Sequence, residues 1–219
     1  MNAGSFKKYL AELLGVAMIV GGVLGAGYMV ANLGAQGGVG LALIATSVGA
    51  ILFVAISILG PISGAHLNPA VTLVMLANKS IGAKDGFYYI VSQLVGGFVG
   101  ALVANLMYEK ALVSVNETVR AGYGQYVGEF VATFGLVLIV LMLIHHSLGN
   151  LIAPAVGLWV LAGHFFTSST SFANPAVTFG RAFSDALTGI EWASVPAFVL
   201  FEVAGGYAAY LLFKALTKK

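Results

Sequence analysis

Ser63-Gly-Ala-His-Leu-Asn-Pro-Ala-Val-Thr72 and Ser171-Phe-Ala-Asn-Pro-Ala-Val-Thr-Phe-Gly180 share five residues, Asn-Pro-Ala-Val-Thr, at 68–72 and 174–178. Asn-Pro starts a helix well. The Asn side chain caps exposed amides, and Pro at the first helical position gives up no needed donor while its ring presets the backbone angle. Asn68 and Asn174 are therefore each expected to open a short helix, through Pro69-Ala70 and Pro175-Ala176. The residues before them, Gly64-Ala65-His66-Leu67 and Thr170-Ser171-Phe172-Ala173, are expected to be extended, with carbonyls that have no helical partner.

The two motifs sit in stretches, 61–79 and 168–189, that are moderately apolar but too short and too broken by Gly, Pro, Ser and Asn to cross a bilayer. Around them run six longer hydrophobic stretches, near 9–31, 39–60, 85–108, 123–145, 150–167 and 192–214. Hydrophobic residues make up 59% of the 219, charged residues 8%, and the mean hydropathy is +0.97, outside the range of ordinary soluble domains. A spanning helix needs about 20 apolar residues, so this length accommodates about six spans with short connections and one membrane domain over 1–219. The absence of Cys removes disulfides, thiolate metal sites and cysteine nucleophiles. A net charge of +2 with scattered lysines gives no nucleic-acid surface. The first span follows Lys7 and Lys8 and outruns a signal-peptide core, so it reads as a retained helix.

The repeat extends beyond the shared pentapeptide. Tyr9-Leu-Ala-Glu12-Leu matches Tyr126-Val-Gly-Glu129-Phe at the starts of spans one and four, and Gln93-Leu-Val-Gly96-Gly97 matches Glu202-Val-Ala-Gly205-Gly206 in spans three and six. The chain divides into halves of about 1–108 and 123–219 joined by the polar loop 109–122. Each half has three spans, an odd number, so the second lies upside down relative to the first. The expected fold is an all-α membrane protein: six transmembrane helices plus two re-entrant half-helices in an inverted repeat. With both termini cytoplasmic, Lys7, Lys8, Lys79, Lys84, Lys214, Lys218 and Lys219, seven of the ten basic residues, lie inside.

Inversion brings the half-helices in from opposite faces, so their N-termini meet near the midplane. Each contributes about half a positive charge, which disfavours cations, and the two Asn amides offer donors to a solute oxygen. Irregular backbone at this depth is tolerated only where it is buried in protein or lines a wet cavity. Carbonyls of 64–67 and 170–173 on one side and Asn donors at the centre describe a pore for small uncharged solutes.

The two quoted stretches resemble the signature loops of the aquaporins, the major intrinsic protein superfamily, and the likeness covers essentially the whole chain. It implies a homotetramer with one pore per subunit, a narrow filter on the outer side of the paired Asn residues, and exclusion of charged species by the opposed half-helix dipoles, the mechanism already attributed to that family. In most relatives an arginine follows the second Asn-Pro-Ala; here it is Val177. The family's spacing puts Val48 in the filter from span two, where strict water channels often carry a large aromatic. For span five the count gives Ala162, while aligning Gly157-Leu158 gives His164; both stand. Ser171 completes the set. The filter is expected to be wide and weakly polar. Val177, with the run Thr167-Ser-Ser-Thr-Ser-Phe-Ala before the motif, is similar to a bacterial subgroup associated with arsenic resistance, which implies arsenous acid or glycerol-like polyols as solutes and a place in the cell (inner) membrane.

Arg181, one turn beyond Val177, either lines the outer vestibule or pairs with Asp185, and pairing is the stronger expectation because charges within membranes are usually paired. Glu12 and Glu129 are expected to brace the re-entrant loops by accepting from their amides, with Gln93 and Glu202 in support. The glycine pairs beside the last two read as close helix contacts. His66 contributes its carbonyl; His145 and His146 read as solvated helix-end residues. No catalytic residues, metal or cofactor are expected, and the partners are small neutral solutes and the bilayer. The rival reading is a secondary transporter, which also uses inverted repeats but needs an ion-coupling carboxylate where this chain has neutral Asn.

Overall fold

The computed structural model describes residues 3–218; Lys219, counted above, lies outside them. Six helices are long and apolar enough to span: α1 (Ala3–Asn32), α2 (Gly37–Ser63), α4 (Ala83–Met107), α5 (Tyr123–His145), α6 (Ile152–Phe166, entered through the 3₁₀ turn Gly149–Leu151) and α8 (Val195–Thr217, entered through Trp192–Ser194). Two short helices, α3 (Pro69–Ala77) and α7 (Pro175–Arg181), occupy the broken stretches. The chain is a multi-pass membrane protein of all-α class. Its six crossings bring Ala3 and Lys218 to one face, opposite the face of the 109–122 loop, the loop face.

α1 starts ahead of the expected position 9, carrying Lys7 and Lys8 as exposed residues of its first turns. α2 continues through Pro61 to Ser63, beyond the expected end of the hydrophobic stretch at 60. Pro61 lies close to the helix end, and the stop comes at Gly64, whose left-handed φ of 84° lets its N–H close back on the Gly60 carbonyl at 2.9 Å.

Glycines set the distances between helices. A Cβ on Gly96 of α4 would strike the Leu13 carbonyl of α1, and one on Gly205 of α8 would strike the Phe130 carbonyl of α5. The two contacts are copies of each other, as the repeat in sequence requires. On the symmetry axis a helix pair meets through one glycine of each half: a Cβ on Gly49 of α2 would sit 2.9 Å from the Gly157 carbonyl of α6, and one on Gly157 would sit 2.7 Å from the Gly49 carbonyl. Bilayer gives helices no hydrophobic reason to associate, so close backbone approach through small residues holds the bundle. The outer surface is apolar, with Phe53, Ile58, Leu106, Leu158, Leu200 and Leu211 exposed.

Candidate functional site

Asn68 caps α3 by accepting from the Ala70 N–H at 2.9 Å; Asn174 caps α7 by accepting from the Ala176 N–H at 3.0 Å. Each cap uses the side-chain oxygen and turns the side-chain nitrogen towards the other half. Asn68 Nδ2 donates to the Ala173 carbonyl and Asn174 Nδ2 to the Leu67 carbonyl, both at 2.7 Å. The half-helices thus meet end to end at the centre of the molecule, and each amide nitrogen keeps a second hydrogen to offer a solute.

The loops before them are not extended as the sequence suggested. Ala65 (45°), Leu67 (48°), Thr170 (65°), Ser171 (54°) and Ala173 (51°) have left-handed φ. For residues other than glycine this costs about 1–2 kcal/mol each, so the surroundings must hold it in place. Buried carboxylates do so. Glu12 accepts from the His66 N–H (3.0 Å), the Leu67 N–H (2.6 Å) and the Ser63 hydroxyl (2.7 Å). Glu129 accepts from the Phe172 N–H (2.9 Å) and the Ala173 N–H (2.7 Å), and Glu202 takes the next amide, that of Asn174, at 3.2 Å. Left-handed turns are what aim successive amides at one carboxylate. In a trans peptide the carbonyl points opposite to the following N–H. The carbonyls of Ala65, His66, Ser171 and Phe172 therefore face away from the carboxylates.

They face a cavity of about 240 Å³. Gly64, Ala65, His66, Leu67 and Asn68 supply one polar strip of its wall; Ser171, Phe172, Ala173 and Asn174 supply the other. Val23, Val48, Leu52, Leu136, Val140 and Val160 make the opposite, aliphatic wall. From Ser80, Ile144 and Ile152 at one end it reaches His164 and Arg181 at the other. A solute inside has hydrogen-bond partners on one side and a smooth hydrocarbon surface on the other. None of the buried carboxylates lines this cavity.

Val48, His164, Ser171 and Val177 all line it, but Ala162 does not. Ala162 is exposed on the outer surface of α6, and the helical turn that sends it outward sends His164, two residues on, inward. Of the two positions left open in span five, His164 is the one on the cavity wall, with Nδ1 2.7 Å from the Val160 carbonyl. Thr170 lies further out, on a second cavity at the loop face.

Arg181 does not pair with Asp185. Its Nε donates to the Thr188 carbonyl at 2.5 Å and its guanidinium lies over the Phe172 ring, 3.3 Å from the centroid, while Asp185 is exposed and accepts from the Tyr28 hydroxyl at 2.5 Å. α7 ends at Arg181, so the backbone turns and the two side chains separate. His66 lines the cavity with Nδ1 3.1 Å from the Thr72 hydroxyl, and His145 and His146 are exposed at the end of α5.

Thr72 and Thr178 were not singled out by sequence, yet both are structural. Thr72 donates to the Asn68 carbonyl at 3.1 Å and accepts from Gln93; Thr178 donates to Glu202 at 2.6 Å. Their place as the last residue of the repeated pentapeptide was the available signal. Arg120 was also missed; nothing in a loop arginine marks it as reaching the pore mouth.

The family model "Major intrinsic protein" matches residues 1–213. "Aquaglyceroporin AqpS" of Rhizobium meliloti (strain 1021) is 38% identical over 210 residues, 96% of this chain and 90% of the relative. "Probable aquaporin AqpM" of Archaeoglobus fulgidus is 30% identical over 247 residues, covering 97% and 98%. The solved aquaglyceroporin from Plasmodium falciparum superposes with a TM-score of 0.78 over 97% of each chain at 21% identity, a likeness of fold. With the paired half-helices, the one-sided polar cavity and a family match over nearly its whole length, the chain belongs to the major intrinsic protein family, the aquaporins and aquaglyceroporins, and is a passive membrane channel for water and small solutes rather than an enzyme.

Proposed function

We propose that this channel passes uncharged polyhydroxy solutes, of the glycerol or arsenous acid type, together with water, through a filter made by Val48, His164, Ser171 and Val177. The observation that carries this reading is Val177. It lines the cavity at the position where most aquaporins place an arginine, and it is 4% exposed with an aliphatic side chain. A guanidinium there would add fixed charge and several donors and narrow the passage; valine leaves width and an apolar surface. Val48 acts in the same direction from α2. The similarity to a protein named an aquaglyceroporin supports solutes larger than water. The proposed setting is a homotetramer of single membrane domains spanning 1–219, with repeats of about 1–108 and 123–219 joined by 109–122. It lies in the cell (inner) membrane, both termini cytoplasmic and the loop face outside. Glu12, Glu129 and Glu202 lie behind the loops and bond to their amides, which argues against ion-coupled transport.

Osmotic water flux, glycerol swelling and arsenous acid uptake, measured in proteoliposomes for wild type and Val177→Arg, test this. Wild type passes all three without an ion gradient, and V177R keeps water flux while losing the larger solutes. Uptake that needs a proton or sodium gradient, or an unchanged solute ranking in V177R, overturns it.

A further inference from the structure

The loop face holds a second cavity, of about 390 Å³, which adjoins the first: His164 and Arg181 line both. Arg120, from the loop between the halves, lines it as well. The two arginines are anchored alike. Arg120 Nε donates to the Gly189 carbonyl at 2.8 Å, next in sequence to the Thr188 carbonyl that receives Arg181 Nε. Their guanidinium groups lie over the same ring, 4.9 and 3.3 Å from the centroid of Phe172. With Nε engaged and the flat face stacked, the terminal nitrogens remain. Among the described residues these make no hydrogen bond, and none is sealed from the cavity space. Burial pulls the Arg120 pKa down to about 10, with Glu129 acting the other way, so it remains charged at neutral pH.

Two cations side by side repel, and here both present unused donors to one partly enclosed space. Among the described residues no carboxylate pairs with either arginine: Glu129 is held by two loop amides, Glu202 by the Asn174 amide and the Thr178 hydroxyl, and Glu191 by the Ser194 hydroxyl. An anion with several oxygens would satisfy the donors and relieve the repulsion, because guanidinium forks match oxyanion geometry. We propose that Arg120 and Arg181 form a binding site for a small oxyanion of the phosphate, arsenate or carboxylate kind, and that an anion held there obstructs the entry of neutral solutes from the loop face. The obstruction rests on reading the first cavity as the pore; the binding does not.

Inorganic phosphate, against chloride at equal ionic strength, is the probe. In wild type the thermal midpoint of the purified detergent-solubilised protein rises with phosphate and saturates, and phosphate slows glycerol swelling of proteoliposomes. Arg120→Gln removes both responses, and Arg120→Lys, which keeps the charge without the fork, retains a part. Lys110→Gln, which removes a cation from the same face where it lies 5.7 Å from the centroid of the Tyr28 ring, keeps both. An unchanged wild-type midpoint, or equal losses in R120Q and K110Q, overturns the site. Should R120Q not fold, R120K matching wild type in both responses overturns it. Glycerol flux in phosphate-free buffer reads the pore separately: its absence beside a normal phosphate shift counts against the pore and leaves the anion site standing.

Discussion

Asn68 donates to the carbonyl of Ala173, 105 residues away, at 2.7 Å, and so ties the first half-helix to the loop of the second. The same side chain caps its own helix through its oxygen. One residue therefore caps the start of a helix, joins the halves and lines the cavity. Replacing Asn68 with Ala removes a cap worth about 1 kcal/mol and leaves the buried Ala173 carbonyl unpaired at a further 1–3 kcal/mol or so. Thermal unfolding of N68A in detergent should show a loss of about 2–4 kcal/mol, and its proteoliposomes should lose solute flux. Wild-type stability would mean that the clasp contributes nothing.

Glu202 stands where the repeat places Gln93. Gln93 donates to Glu12 at 2.7 Å and to Thr72 at 3.0 Å; Glu202 lies against the Glu129 carboxyl group, and among the described residues no amide or alcohol donor reaches its buried Oε2. The first half has an amide against a carboxylate, while the second has two carboxyl groups. Glu202→Gln keeps an oxygen for the Asn174 N–H and Thr178 and adds a donor for Glu129. It is expected to stabilise the protein by about 1 kcal/mol with flux unchanged, read as a higher unfolding midpoint. A lower midpoint would show that the acid pair contributes something an amide cannot.

His164 and Ala162, two residues apart, should behave oppositely. His164→Ala enlarges the junction of the two cavities and is expected to raise glycerol flux several-fold relative to water. Ala162→Leu adds a side chain on the exposed face of α6 and should leave both fluxes unchanged. Stopped-flow light scattering compares the four rates, and a solute effect from A162L would contradict the assignment.

Gly96 meets the Leu13 carbonyl too closely for any side chain. Gly96→Ala should therefore force α1 and α4 apart at a cost of about 1–3 kcal/mol. The loss should be seen as reduced folded yield and a lower unfolding midpoint. Gly60, with nothing near its would-be Cβ, is the matched control, and Gly60→Ala should not destabilise.

The spans, the inverted repeat and the two helix starts follow from the sequence alone, because hydrophobic length, an odd number of crossings per half and Asn-Pro chemistry are local properties that nothing distant overrides. The pairing of Glu12 and Glu129 with the loops was also legible, since a carboxylate repeated at bilayer depth needs donors and the loops had amides to spare. The loop conformation was not legible: left-handed Ala65, Leu67, Ser171 and Ala173 go against residue preference and exist because a carboxylate on another helix collects their amides. The sequence left span five undecided between Ala162 and His164, and only the rotation of α6 against α2, set by the crossing of Gly49 and Gly157, turned His164 inward. Arg181 was expected beside Asp185 by spacing along a helix, but the helix ends at Arg181. Its neighbour became Arg120, from a loop whose path depends on the packing of both halves. Periodicity and capping fix each element; which side chains share a cavity depends on how the elements cross.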